Sequence, residues 1–314
     1  MVKAAAWSKL APDREGRFQR KSSEFRDAIE AGGRFPPEAD RYHLYVQYAC
    51  PWAHRTLLAR RLLGLEHAIT VDVVDWRMRE DGAWVFNADE PGCTPDTVGG
   101  ATDLQDVYLA ADPAFPSIGT VPVLWDKQEG TIVNNESREI LRMLDTVLAP
   151  AVGKDPVVQT LLPDGLADEV DAMITANYEP VNNGVYKAGF ARSQEAYDEA
   201  IEPLFARLDE LEEHLEGRDW LVGPGRGVLS EADICLWTTL LRFDPVYHTH
   251  FKCNRSLIQQ MPNLWAFVLR LWHLPGVDET VDMRHIRNHY HWSHTGLNPH
   301  RIVPVGPALP GAPS

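Results

Sequence analysis

A single cysteine at a strand-to-helix junction is the feature that most constrains how this chain can fold. Residues 42–48 (YHLYVQY) alternate as a half-buried strand does, Cys50 and Pro51 follow, and residues 53–63 carry apolar side chains at helical spacing. A second strand-forming run, residues 68–74 (AITVDVV), comes next. Strand, helix and strand in this order form a βαβ unit, which predicts a parallel strand pair with Cys50 where the helix begins.

The following segments complete an α/β unit. Residues 76–116 are rich in Gly, Pro and Asp and predict a long excursion with little regular structure, of the kind that is often functional. Residues 121–126 and 131–133 then predict an antiparallel strand pair, and a helix begins at 134–137 and runs to about residue 148. A βαβ unit followed by a hairpin and a helix is typical of a thioredoxin-like fold.

The second half of the chain is predicted to be helical. Strand patterns are nearly absent there, and helical patterns cover residues 166–180, 193–216, 230–243, 256–273 and 279–290. Ser230 and Asp233 predict a capping box at the start of one of these helices. The expected fold is an α/β thioredoxin-like N-terminal domain followed by an all-α C-terminal domain. The expected boundaries are an N-terminal extension over 1–40 with a short helix at 22–31, a thioredoxin-like domain over 41–150, an all-helical domain over 165–296 and a tail over 297–314.

Composition excludes several classes of function. A net charge of −15 and a pI of about 5.2 argue against a duplex nucleic-acid binder or a protein adsorbed to an anionic membrane. We expect neither a signal peptide nor a transmembrane helix, since no window approaches the roughly 18 consecutive apolar residues that a span needs. The four cysteines lie far apart without a CxxC pair, which indicates thiols in a reducing, cytoplasmic compartment.

Cys50 is the candidate nucleophile. Backbone N–H groups and the helix dipole favour an anion at a helix N-terminus, where thiol pKa values fall to roughly 3.5–7.5 from about 8.5. His54 and Arg55 would add positive potential. Ala53 stands where a dithiol oxidoreductase has its second cysteine, so a mixed disulfide on Cys50 would need an external thiol to resolve it. The competing interpretation is a small buried hydrophobic residue, which is what most lone cysteines are.

Two further features suit a thiol-peptide site. An X-Pro bond such as Val121-Pro122 can be cis, which would leave the Val121 backbone available to an extended peptide, although trans is the commoner state. Glu136 and Ser137 open a helix, where Ser137 and its N–H would hold a carboxylate and Glu136 an amine, the two ends of a γ-glutamyl group. Simple helix capping is nearly as good an explanation of this pair.

Six stretches, taken together and in order, resemble the glutathionyl-hydroquinone reductases, the Xi class of the glutathione transferase superfamily: ACPWAHR, TVPVLWDK, TIVNNES, NNGVYKAGFA, RFDPVYHTHFKCN and HIRNHYHWSH. GRFQRKSSEF and NPHRIVPVGP add to the resemblance, which covers residues 14–307. It implies reduction of S-glutathionyl-hydroquinones with glutathione, through a mixed disulfide that a second glutathione resolves. It also implies a homodimer, and we expect no metal.

The resemblance assigns roles to particular residues. Cys50 matches the catalytic cysteine, Trp84 the tryptophan that packs on glutathione, and Val121, Glu136 and Ser137 the remaining glutathione contacts. Three tyrosines match those that line the hydroquinone pocket, where their phenol groups would stabilise the leaving phenolate: Tyr186, Tyr247 and Tyr290. From the residues alone, each tyrosine is equally well explained as core or interface.

Two departures from the family pattern bear on specificity. Ile118 stands where the family commonly has an arginine that contacts glutathione, so the thiol is expected to differ at its glycine end, for example γ-glutamylcysteine or another low-molecular-weight thiol. His291 follows Tyr290 where the family often has a second tyrosine, which would alter the hydroquinone pocket.

Other interpretations stay open at the level of sequence. One is a different Cys-type activity, either thioltransferase or dehydroascorbate reductase, and another is a non-enzymatic binding subunit, for which a Cys50 pKa near the free-thiol value of about 8.5 would speak. His285 and His289, spaced i,i+4, would suit zinc, but a solvated or hydrogen-bonded histidine-rich helix is the better interpretation because the region lacks HExxH.

Overall fold

The computed structural model describes residue 13, residues 15–20 and residues 22–307. The chain forms two compact units. Their described parts are residues 22–160 with Glu279–His289 in the first unit, and residues 13–20, Leu161–Asp278 and 290–307 in the second. Within these described ranges, no helix is long and apolar enough to cross a bilayer.

The first unit contains a mixed sheet flanked by helices. Its elements are, in chain order, β1 (Tyr42–Val46), α1 (Pro51–Leu62), β2 (Ile69–Val73), α2 (Leu104–Ala111), β3 (Val123–Asp126), β4 (Thr131–Asn134) and α3 (Ser137–Met143). The strand order is β2-β1-β3-β4, with β1 parallel to β2 and antiparallel to β3, and β3 antiparallel to β4. This arrangement confirms the predicted βαβ unit and hairpin.

Local sequence explains where α1 begins and ends. Pro51 occupies the first turn, where its missing N–H would have had no helical partner. Gly64, just past the helix, has a φ of 65°, and a Cβ there would come within 2.0 Å of the Lys154 carbonyl oxygen. Only glycine suits this position, so the chain leaves α1 in a fixed direction.

The helix predicted at residues 22–31 is wrong. Arg26 instead pairs with Asn134 as an isolated antiparallel bridge, Asp27 N–H donates to the Val133 carbonyl, and Asn135 N–H donates to the Phe25 carbonyl. The segment thus runs beside β4. Helix propensity in a short polar segment is weak, and the backbone groups at the exposed edge of β4 gain partners from an extended chain.

The predicted excursion over 76–116 contains an unpredicted helix, α2. Its N-cap is Asp103, whose carboxylate accepts the Asp106 N–H. The helix α3 continues through a π-helical turn, Leu144–Leu148, into a short α4 (Ala149–Val152). The predicted helix at the end of this domain is therefore present, with a widened turn in its middle.

The second unit is helical in its described part. Its helices are α5 (Ala167–Asn177), α6 (Gly184–Phe190), α7 (Gln194–His214), α8 (Glu231–Arg242), α9 (His248–His250) and α10 (Pro262–Trp272). The helix α6 was not predicted, and α10 begins at Pro262 rather than at 256, after a 3-10 turn at Ile258–Gln260. The capping box is present, since Asp233 accepts the Ser230 N–H at 2.8 Å.

Residues Glu279–His289 belong to the first unit, which differs from the expected all-helical domain of 165–296. His54 Nε2 lies 2.8 Å from the Thr280 hydroxyl, and Arg284 pairs with Glu90. The last helix, α11 (Met283–Ser293), therefore begins in the first unit and ends in the second. The predicted tail has neither helix nor strand over its described part, 297–307, and residues 1–12 of the predicted extension lie outside the described residues.

Candidate active site

Cys50 lies where β1 leads into α1, as the sequence predicts. It is the N-cap of α1, with an extended backbone (φ −75°, ψ 117°) and a half-buried side chain. Its amide donates to the Gln47 carbonyl and its carbonyl accepts the His54 amide, both at 3.0 Å. These bonds hold Cys50 at the positive end of the helix dipole, which favours the thiolate, the reactive form of the side chain.

Val121 is beside the cysteine. Antiparallel pairing places Tyr45 opposite Val123, so the C-terminal end of β1 and the N-terminal end of β3 lie at the same end of the strands. The Val121-Pro122 bond is cis, and the Cys50 thiol donates to the Val121 carbonyl with Sγ and O separated by 3.6 Å. The structure therefore brings together two residues that lie far apart in sequence.

A second helix N-terminus supplies Glu136 and Ser137. Glu136 is the N-cap of α3, and its carboxylate accepts the Arg138 N–H at 3.3 Å and the Ser23 hydroxyl at 3.0 Å. Ser137 is the first residue of α3, and its Oγ accepts a hydrogen bond from Arg55 Nη1 at 3.3 Å. Arg55 thus links α1 to α3. We call Cys50, Val121, Glu136 and Ser137, which the sequence predicts to bind the thiol, the thiol site.

The two side chains expected to add positive potential near Cys50 have different surroundings. Arg55 is buried, and its guanidinium carbon lies 4.4 Å from the centre of the Trp52 ring. His54 is also buried, with its Nε2 against the Thr280 hydroxyl. Arg55 is thus the residue that connects to the thiol site, and its bond to Ser137 was not predictable from the sequence because it joins helices about eighty residues apart.

Trp84 lies in the long segment between β2 and α2. Its side chain is buried, and its ring centre lies 4.8 Å from that of His289 at an interplanar angle of 32°. Its backbone pairs with Met78 and accepts the Leu104 N–H. These contacts fix the indole in the first unit. Its predicted packing on glutathione stays a prediction.

Three tyrosines form a hydrogen-bonded group in the second unit, which we call the tyrosine cluster: Tyr186, Tyr247 and Tyr290. The hydroxyl oxygens of Tyr186 and Tyr290 are 2.6 Å apart, and those of Tyr247 and Tyr290 are 3.1 Å apart. Burial raises the pKa of Tyr247 and of Tyr290 well above the usual value. Both phenols therefore stay protonated at neutral pH and remain hydrogen-bond donors.

Aromatic side chains enclose the tyrosine cluster. Phe251 stacks on Tyr247 with ring centres 5.4 Å apart and planes within 6°, and the Arg20 guanidinium lies 4.9 Å from the centre of the Tyr186 ring. His250 Nε2 and His294 Nδ1 are 3.1 Å apart. His291, the second departure from the family pattern, is buried with its ring 4.7 Å from His250. The spacing of these residues in sequence gave no signal for this enclosure.

The first departure, Ile118, lies half-buried in the loop before Val121. Cys93 is also half-buried, its Sγ 3.6 Å from the Val74 carbonyl oxygen, and burial raises its pKa to about 12. It therefore lacks thiolate character at neutral pH. Cys235 packs in α8 and Cys253 is buried.

The histidine pair considered for zinc is held by backbone carbonyl groups. His285 Nε2 lies 2.9 Å from the Pro91 oxygen and His289 Nδ1 lies 2.9 Å from the Trp76 oxygen. Both rings are buried, and burial lowers the pKa of His289 to about 4. Among the described residues, no group of three His, Cys, Asp or Glu side chains is placed to hold a metal ion.

Comparison with known families matches both halves of the chain. The glutathione S-transferase N-terminal domain family matches residues 49–147, and the glutathione S-transferase C-terminal domain family matches residues 194–270. The N-terminal match includes Cys50, Val121, Glu136 and Ser137.

Individual proteins resemble nearly the whole chain. Glutathionyl-hydroquinone reductase PcpF of Sphingobium chlorophenolicum is 49% identical over 295 residues, covering 94% of this chain and 91% of its own. Glutathionyl-hydroquinone reductase YqjG of Escherichia coli K12 is 48% identical over 300 residues, covering 93% of this chain and 89% of its own. The glutathione-bound structure of YqjG gives a TM-score of 0.86, with 90% of this chain and 93% of that chain covered. A Xi glutathione-S-transferase from Phanerochaete chrysosporium gives a TM-score of 0.91 at 49% identity, with 96% of each chain covered.

Proposed function

Because the chain belongs to the glutathionyl-hydroquinone reductases, the Xi class of the glutathione transferase family, we propose that it reduces S-glutathionyl-hydroquinones to hydroquinones with glutathione. The observation that carries the proposal is the placement of Cys50 at the N-cap of α1, beside Val121. Ala53 follows three positions later, so the chemistry uses one protein thiol and an external one.

The reaction has two balanced steps. In the first, the Cys50 thiolate attacks the sulfur of the conjugate, the bond between that sulfur and the ring carbon breaks, and the ring takes up a proton to give the hydroquinone. Cys50 is left in a mixed disulfide with glutathione. In the second, a glutathione thiolate attacks that disulfide, which regenerates Cys50 and releases oxidised glutathione. Two electrons pass from glutathione to the conjugate.

The remaining site residues take supporting roles in this proposal. The Val121 backbone pairs with the peptide of glutathione, Trp84 packs on it, Ser137 binds the γ-glutamyl carboxylate and Glu136 binds the γ-glutamyl amine. Two helix N-termini, those of α1 and α3, supply partial positive charge for the thiolate and the carboxylate. A structure of YqjG, which this chain resembles, contains bound glutathione, which supports glutathione as the ligand of this chain.

We further propose that the tyrosine cluster binds the hydroquinone. Its phenols donate hydrogen bonds to the hydroquinone oxygens and stabilise the negative charge that develops as the carbon–sulfur bond breaks. The raised pKa of Tyr247 and of Tyr290 supports this role, because a donor has to keep its proton. We also propose a homodimer, from the family resemblance, which sedimentation of the purified chain would test. We propose a cytoplasmic location because the four cysteines lie far apart in sequence without a CxxC pair.

The natural thiol is a finer part of the proposal. Ile118 stands where a cation would meet the glycine carboxylate of glutathione, so γ-glutamylcysteine is expected to serve at least as well. Turnover with the two thiols, each at several concentrations, measures the ratio of kcat/KM. A clear preference for glutathione contradicts this part and leaves the reductase activity standing.

A substrate panel tests the reductase proposal as a whole. The wild-type enzyme is given an S-glutathionyl-hydroquinone, a small mixed disulfide and dehydroascorbate, each with glutathione. We expect one hydroquinone and one oxidised glutathione per conjugate consumed, with kcat/KM well above that for the other two substrates. A higher kcat/KM for the mixed disulfide or dehydroascorbate would favour the thioltransferase or dehydroascorbate reductase interpretation instead.

A further inference from the structure

Arg55 has surroundings that stability alone does not explain. Its side chain is only 2% exposed. Its guanidinium stacks on the Trp52 ring, 4.4 Å from guanidinium carbon to ring centre, and Nη1 donates to Ser137 Oγ at 3.3 Å. Replacing a buried ion pair by apolar residues of similar volume is often neutral or stabilising, so the burial of a charge is weak evidence that it serves stability. A guanidinium held here, with one of its N–H groups turned to a serine of the thiol site, therefore suggests a functional role.

The bond from Arg55 determines which way the Ser137 hydroxyl points. A serine hydroxyl has one hydrogen to donate and two lone pairs to accept with. Because Ser137 Oγ accepts from Arg55, its own hydrogen has to point away from the guanidinium. The serine then presents a donor to an incoming group, and the adjacent positive charge strengthens that donor toward an anion.

We propose that Arg55 is a positioning residue for the thiol co-substrate: by donating to Ser137 it orients that hydroxyl to bind the α-carboxylate of a γ-glutamyl thiol. This inference rests on the proposed function, and it adds the residue that selects for an α-amino acid end group. The stack on Trp52 holds the planar guanidinium in one orientation.

The neighbouring residue completes the selection. Glu136 is an acceptor, and its carboxylate is held by the Arg138 N–H and the Ser23 hydroxyl. Adjacent positions at the start of α3 therefore offer a fixed acceptor and, through Arg55, a fixed donor. An amine and a carboxylate on one carbon, as in a γ-glutamyl group, match this pair, whereas a thiol that lacks the carboxylate matches only half of it.

Binding of two non-reactive ligands tests the proposal. Calorimetry measures Kd for S-methylglutathione and for its analogue in which hydrogen replaces the γ-glutamyl α-carboxylate. The proteins are wild type, Arg55→Met, Ser137→Ala and the double variant, with circular dichroism to verify folding. We expect Arg55→Met to weaken S-methylglutathione by about tenfold or more, the loss typical of a hydrogen bond that involves a charge. The analogue should bind wild type and Arg55→Met about equally.

The double variant and two conservative variants separate positioning from packing. If Arg55 acts through Ser137, the Kd of the double variant for S-methylglutathione should be no higher than that of whichever single variant has the higher Kd. Arg55→Lys and Arg55→Gln keep an N–H donor, so part of the affinity should return, and they serve as the test if Arg55→Met does not fold. Equal losses for both ligands, additive losses in the double variant, or no recovery in the conservative variants overturn the inference. The proposed function fails separately if wild type neither binds S-methylglutathione nor releases hydroquinone.

Discussion

The thiol site and the tyrosine cluster are built in different ways. The main chain positions the thiol site: Cys50 and Glu136 are helix N-caps, and Val121 precedes a cis peptide bond just before β3. Side-chain packing positions the tyrosine cluster, whose hydroxyls come from α6, from the π-helical turn Phe243–Tyr247 and from α11. Reactivity that depends on local backbone geometry can be recognised in a sequence. A buried network of phenols exists only once distant segments have packed together.

The tyrosine cluster should be easier to disrupt by a single substitution than the thiol site. A Cβ on Gly189 would come within 2.2 Å of the Phe251 ring, and Phe251 stacks on Tyr247. Gly189→Ala is therefore expected to lower the free energy of unfolding by about 3 kcal/mol, the upper range for an overpacked core. Chemical denaturation measures the change. Gly184→Ala is the matched control in the same helix, because its Cβ would come no nearer than 3.3 Å to Glu179 O.

The same substitution separates the two regions functionally. Gly189→Ala should impair hydroquinone release while the rate of Cys50 alkylation by iodoacetamide stays near that of wild type. A fall in the alkylation rate that matches the fall in turnover would show that the two regions do not respond independently.

Acid should weaken the first unit through His289. Burial lowers the pKa of this imidazole to about 4 from 6.5, so the folded state keeps it neutral while the unfolded state takes up a proton below pH 6.5. Its contribution to stability is complete above pH 6.5 and is lost as the pH falls from about 6.5 to about 4. The full loss is about 3 kcal/mol.

A pair of histidine variants isolates this effect. His289→Asn keeps a donor for the Trp76 carbonyl and should flatten the pH dependence of unfolding between pH 4 and 6.5. His67→Asn, at an exposed position, should leave it unchanged. Identical pH profiles for wild type and His289→Asn would contradict the assignment. His289 and Tyr290 are adjacent in α11 but belong to different units. A change in acid stability that is seen only with the His289 variant would therefore also distinguish the first unit from the tyrosine cluster.

Removing one hydroxyl from the tyrosine cluster gives the smallest expected effect. Tyr290 contacts both other tyrosine hydroxyls, so Tyr290→Phe removes both hydrogen bonds without changing the ring. We expect kcat for hydroquinone release to fall about tenfold, which is the effect of losing one charge-assisted hydrogen bond in the transition state. Thiol binding should not change. Tyr197→Phe, whose hydroxyl donates to the Lys252 carbonyl, is the control, and equal effects of the two substitutions would remove the catalytic role of Tyr290.

The contrast between the regions also explains what the sequence could predict. The strand–Cys–Pro–helix order and the hairpin are local patterns, and both were confirmed by the structure. The segment at 22–31 was wrongly predicted as a helix because its pairing with β4 is a tertiary effect. The bond from Arg55 to Ser137 and the hydroxyl contacts of Tyr290 join residues that are distant in sequence. The periodicity of apolar residues therefore could not predict these contacts.

Resemblance filled part of that gap. The three tyrosines were picked out by family motifs, and the structure brings them into one hydrogen-bonded group. For the histidines at 285 and 289 the sequence favours a solvated or hydrogen-bonded helix and does not decide between the two. Both side chains are buried and hydrogen-bonded to backbone carbonyl groups, because α11 packs on the segment that carries Trp76 and Pro91.

The central claim is that Cys50 is the nucleophile that takes up the thiol. The most direct measurement is intact-protein mass spectrometry after one turnover with an S-glutathionyl-hydroquinone, in wild type, Cys50→Ala and Cys93→Ala. Wild type and Cys93→Ala should each release hydroquinone and carry one glutathione adduct, mapped to Cys50, and Cys50→Ala should do neither. Hydroquinone release by Cys50→Ala, or an adduct on another cysteine in wild type, would contradict the account.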